Sequence, residues 1–162
     1  MSESPQSTDP FNYFCFESNE ETSIILNYLA LNQVLTSTRV DEVITRIVLF
    51  VKDHMHRRQT EQFTIHLFCN GMVLRNMNQH RSFMLHFAQM FKVNFPKELN
   101  ACYVHNSPSF FSSIYELLKP ILPKASCEKI IIVKSKTSKQ NSVNPLQQAR
   151  PVNKVNTVQL LS

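Results

Sequence analysis

Glycine is nearly missing from this chain: Gly71 is the only one in 162 residues. A phosphate-cradling P-loop or a dinucleotide-binding glycine fingerprint needs several glycines close together. Both are therefore excluded. The four cysteines, Cys15, Cys69, Cys102 and Cys127, form no C-x-x-C pair, so neither zinc-finger spacing nor a dithiol redox motif is present. Long apolar runs are lacking too, since none approaches the roughly 20 residues that span a bilayer. Residues 1–10 are polar and acidic and do not read as a signal peptide. These absences together point to reduced thiols, a cytoplasmic location and membrane contact that is at most peripheral.

Acidic side chains are missing from the C-terminal end. Residues 135–162 hold four basic residues and no acidic one, whereas residues 1–60 hold eight acidic and five basic. The net charge of +5 permits weak attraction to anionic surfaces. No basic-aromatic RNA-recognition motif accompanies it, so nucleic acid is an unlikely partner. Lys134, Lys136 and Lys139 are the candidate contacts to an anionic membrane, and a solvated tail is the plainer reading of the same cluster.

What is present is apolar patterning. Hydrophobic residues make up 43% of the chain, enough for a core. Residues 1–10 read as a disordered lead. The run Phe11–Phe16 reads as a short strand, and 23–35 as an amphipathic helix through Ile24, Tyr28, Leu31 and Leu35. A second helix is expected over Asp41 to about His56, with basic residues near its end. Phe63–Phe68 is β-rich and leads into Asn70-Gly71. Helices are expected over Arg81 to about Val93 and after Ser107-Pro108, with Ser as cap and Pro in the first turn. Ala101–Val104 and Lys129–Val133 read as buried strands. Strand and helix alternate from residue 63, which predicts βαβ units and a mainly parallel sheet covered by helices. From Ser135 the chain is polar and reads as a flexible basic tail, with 155–161 as a short structured piece.

His54 and His56 stand at i and i+2, not the i and i+4 that put two ligands on one helical face, so no metal site is expected. Cys69 with His66 or His105 shows no flanking pattern of a nucleophile and its base; a buried structural thiol is the plainer reading. No carboxylate pair stands out in the alternating region. The chain is read as a non-enzyme without cofactor.

One stretch resembles a known family. Phe95-Pro96 precedes Ala101-Cys102-Tyr103-Val104-His105-Asn106-Ser107-Pro108; Phe110-Phe111, Leu117-Leu118-Lys119-Pro120 and Lys129-Ile130 follow. Order and spacing resemble the second half of a CRAL-TRIO (Sec14-like) domain. The resemblance implies a three-layer α/β/α domain over residues 11–134, with 1–10 as lead and 135–162 as tail. It also implies a lipid or other hydrophobic small molecule as ligand. The candidate lining of an apolar pocket is Phe87, Phe91, Phe111, Ile114 and Leu118, whose stripes can point the same way. Ordinary core packing is the competing reading of those stripes. The family's gate helix after the last strand has no recognisable counterpart here. The alternative function is accordingly a protein-interaction domain that keeps the fold without a working pocket.

Overall fold

The computed structural model describes residues 9–19 and 23–134. A single turn of helix, α1 (Phe11–Phe14), runs into strand β1 (Cys15–Glu17). Strand β2 (Ser23–Asn27) then passes directly into helix α2 (Tyr28–Ser37), and α3 (Val40–Arg58) follows. Next come β3 (Phe63–Phe68), α4 (Leu74–Asn94) and β4 (Leu99–His105). Two short helices, α5 (Phe111–Leu118) and α6 (Lys124–Cys127), lead to β5 (Ile130–Ile132).

The five strands lie in the order β1-β2-β3-β4-β5. β1 pairs antiparallel with β2, and every other pair is parallel. The α/β class and the mainly parallel sheet expected from the alternation hold. Each parallel crossover advances in the same direction along the sheet. Right-handed connections therefore place the intervening helices on one face.

Packing agrees with that handedness. Side chains of α1 to α5 form one core with Ile24, Leu26, Phe63, Ile65 and Val104, which all point to the same face of the sheet. Phe63, fully buried, meets Phe91 and Phe95 edge to face with ring centres 5.7 and 5.2 Å apart. Such pairs add about 0.5–1.5 kcal/mol beyond area burial. A register shift between Phe63 and Thr64 opposes Asn100. The shift lets both Leu99 and Cys102 turn to the helical side, and Asn100 Nδ2 donates to Thr64 Oγ1 at 3.1 Å.

Four local expectations are corrected. Phe11–Phe14 is a helical turn rather than a strand, and only Cys15–Glu17 extends. Residues 23–27, expected to open a helix, are strand β2. Four of its five residues are buried, and a short run buried on both faces cannot be told from helix by periodicity alone. Helix α4 begins seven residues before Arg81, at Leu74; its first two turns are mostly polar, with only Met77 and His80 buried. Ser107 and Pro108 precede α5 in a turn, where Phe111 N–H donates to Pro108 O at 3.0 Å, and no side chain caps the helix.

Candidate functional site

The second face of the sheet is the one that no described helix packs against. Strand register fixes what it carries. Phe16 pairs with Ile25, Ile25 with His66, His66 with Tyr103, and Tyr103 with Ile131. These five residues form one straight row across all five strands. Phe68 pairs with His105 in the next row towards the strand C-termini, and Thr64 with Ala101 in the row before. The five-residue row holds no Asp, Glu, Lys or Arg; Lys129, beside Ala101 in the row before, turns its Nζ to Leu99 O at 2.6 Å.

The row is built of rings laid on one another. His66 stacks on Tyr103 at 5.1 Å and on His105 at 5.2 Å, and His105 stacks on Phe68 at 4.4 Å. His66 Nδ1 and His105 Nε2 are 2.9 Å apart and hydrogen-bonded. Ile25 and Phe68 are buried, while Phe16, His66, Tyr103, His105 and Ile131 are half-buried. Desolvation pushes the His66 imidazole down to about 4. Desolvation, helped by the neighbouring His66, pushes His105 down to about 3. Both rings are neutral at physiological pH, which suits an apolar surface.

The five pocket residues expected from the sequence sit on the opposite face. Phe91, Phe111 and Ile114 are buried in the helical core, and Phe87 and Leu118 pack against it. Phe83, Phe87, Phe91 and Phe95 form a continuous ladder of rings spaced 5.3–6.0 Å. All five expected residues thus belong to this ladder or to α5, as a packed layer. Lys134 is exposed just beyond β5; Lys136 and Lys139 lie outside the described residues, as does the expected piece at 155–161.

Sequence reasoning missed the face that holds His66, Tyr103 and His105. The signal was the strict alternation of β3, with Phe63, Ile65 and Leu67 on one side and Thr64, His66 and Phe68 on the other. The same alternation separates Cys102 and Val104 from Tyr103 and His105. Without β2 recognised, the sheet lacked the strand that places Ile25 beside His66.

A second polar cluster ties β1 to α3. His54 is fully buried and its Nδ1 lies 2.9 Å from Glu17 Oε1. Arg57 and Arg58 also bind Glu17, and Arg57 Nε reaches Asp53 at 2.7 Å. Burial alone raises the Glu17 carboxyl, but hydrogen bonds from Arg57 and His54 more than offset this and hold it at about 2. Between the start of α2 and α4, the buried Tyr28 Oη and His80 Nδ1 are 2.6 Å apart. An open depression of ≈ 370 Å³ at the end of α3 is lined by Met55, His56, Gln59, Thr60 and Glu61, all from one helix end and its turn.

Two of the thiols are chemically quiet. Burial pushes Cys69 and Cys102 up to about 12, so neither is a thiolate at neutral pH. Among the described residues no group of three or more His, Cys, Asp or Glu is placed to hold a metal ion. Nor is any described helix long and apolar enough to cross a membrane.

A mainly parallel sheet with helices on one side and an uncharged aromatic row on the other defines an α/β domain of the Sec14-like class. The CRAL/TRIO domain model matches residues 11–150; the chain belongs to the CRAL/TRIO domain family, a family of lipid-binding modules. The crystal structure of Sfh5 matches it with a TM-score of 0.59 at 14% identity, over 95% of this chain and 71% of that one. At that identity the likeness is one of fold. No curated protein sequence matches the chain.

Proposed function

We propose that this domain is a non-enzymatic module that holds a lipid or other hydrophobic small molecule against the second face of its sheet. The observation that carries the reading is the uncharged row Phe16–Ile25–His66–Tyr103–Ile131. A wide apolar surface with a few polar atoms is the usual composition of a small-molecule site. Family membership supports the same class of ligand.

Action at a membrane surface is part of the proposal. The parallel strands all end at one edge, where the chain turns into α2 and α4. Leu29, Val73 and Leu74 are exposed there, at 58%, 45% and 66%. Lys134 leaves β5 at the same edge, and with Lys136 and Lys139 it supplies charge for anionic lipid.

A second reading is a protein-interaction domain that keeps the fold without a ligand. It is favoured by the tight packing of Phe91, Phe111 and Ile114, since residues filled by core contacts leave no room for a guest. Seating a ligand among Phe87, Phe91, Phe111, Ile114 and Leu118 would require the helical layer to open. Mass spectrometry of organic extracts from the purified protein, with uptake of labelled lipid from phosphatidylcholine vesicles, separates the readings. Stoichiometric lipid in either assay supports the binding module. Protein that carries none and takes up none leaves the interaction domain.

A further inference from the structure

His66 and His105 are unusual furniture for an apolar floor. Each neutral imidazole has one N–H and one lone pair. Across the 2.9 Å contact between His66 Nδ1 and His105 Nε2 one ring donates and the other accepts. If His66 donates, its Nε2 is left as an acceptor and His105 Nδ1 carries a proton. If His105 donates, its Nδ1 is the acceptor and His66 Nε2 carries the proton. Either way the pair keeps one free donor and one free acceptor. Among the described residues neither of these two nitrogens has a hydrogen-bond partner, nor does the Tyr103 hydroxyl beside them.

Water can meet these half-buried atoms in the free protein, and a ligand that displaces it without replacing its hydrogen bonds loses affinity. Charge decides which ligand can replace them. The nearest cation by register, Lys129 beside Ala101, is a row away from His66 and its Nζ donates to Leu99 O at 2.6 Å, and desolvation keeps both imidazoles uncharged at neutral pH. A phosphate or carboxylate would lose its hydration there without gaining a counter-charge, which is costly. A hydrocarbon leaves donor and acceptor unmet. A hydroxyl both donates and accepts, so it satisfies either arrangement of the pair's protons.

We infer that His66 and His105 recognise the hydroxyl of an uncharged lipid lying on the second face of the sheet. The inference rests on the proposed function and specifies its ligand class: an apolar body ending in an alcohol, with no charged head group beside the pair. Aromatic stacking from Phe68 and Tyr103 holds the two rings parallel, so the recognition element is preformed.

The test compares three ligands with the same chain, namely 1-dodecanol, dodecane and dodecyl phosphate, as displacers of Nile red from the full-length protein. The expected order puts 1-dodecanol first, by roughly tenfold over dodecane, with dodecyl phosphate weakest. In the H66F/H105F variant, which keeps ring volume, the alcohol's advantage should vanish. Equal displacement by dodecanol and dodecane, a preference for dodecyl phosphate, or an advantage that survives in the variant would each overturn the inference. Should the variant not fold, imidazole ¹⁵N spectra of the wild type decide. Dodecanol must then move the His66 and His105 resonances and dodecane must not; unmoved resonances overturn the inference. If Nile red does not bind at all, the binding reading itself falls, an outcome distinct from binding without preference for the alcohol.

Discussion

His66 and His105 carry a stability signature that can be measured without any ligand. Unfolded imidazoles titrate near 6.5, whereas burial holds these two at about 4 and about 3. Between those values the unfolded chain binds more protons than the folded one. Stability therefore rises with pH across this window, is full above about 6.5, and is lost as the solution is acidified towards 3. Urea midpoints should fall from pH 6.5 to pH 4, and the H66F/H105F variant should show a shallower fall. Some slope remains from His80, which desolvation also lowers. Parallel slopes in variant and wild type would mean that the pair is solvated. Glu17 gives a separate test. Its folded carboxyl lies at about 2, below its ordinary value, so its contribution is present above about 4.5 and lost as pH falls towards 2. Glu17→Gln should cost about 1–3 kcal/mol at pH 7 and almost nothing near pH 2, as read by chemical denaturation. The roles of these residues were hidden in the sequence for a physical reason. His54 with Glu17, and His66 with His105, are separated by 37 and 39 positions, and only strand register brings them together.

At the scale of elements, the helices and strands from residue 40 onward were legible because their apolar periods are long and regular. α3 shows this best: Ile44, Ile47, Val48 and Val51 are all buried, Asp41 and Glu42 lie in its first turn, and three basic residues lie in its last. The short first strands were not legible, since three to five residues carry too little periodicity to exclude helix. Turns at the strand ends make further expectations. Gly71 has φ +76°, and a Cβ added there would come within 2.8 Å of Leu29 Cδ1. Gly71→Ala should lose about 1–2 kcal/mol through the left-handed backbone, with Leu29, exposed and flexible, yielding to the added methyl. Asn106 also sits at positive φ, +54°, and its Nδ2 donates to Asn70 Oδ1 at 3.0 Å. The side chain is exposed, directly after β4. Asn106→Ala should cost about 1–2 kcal/mol and Asn106→Gly much less, a contrast that thermal denaturation resolves. In the helical layer, Phe91→Ala should cost about 3–5 kcal/mol, because its ring touches Phe63, Phe87 and Phe95.

At the scale of the whole molecule, the sheet has one face covered by helices and one proposed to hold the ligand. The family was legible from the run between Phe95 and Ile130, because those residues are turn and helix-end positions that the fold itself demands. The choice of face was not. Phe and Met stripes on a helix look the same whether they line a pocket or fill a core, and only the common direction of the crossovers sends them to the structural side. The chain contains no tryptophan, which allows a clean test of that division. A single tryptophan placed at Ile131 or Phe16 reports on the ligand face, and one placed at Phe87 reports on the helical layer. Each variant is mixed with a long-chain alcohol brominated along its chain, a contact quencher of tryptophan emission. A ligand held on the second face gives strong, saturable quenching of Ile131→Trp and Phe16→Trp and little change in Phe87→Trp. Quenching confined to Phe87→Trp would contradict that placement and put the ligand among the helices.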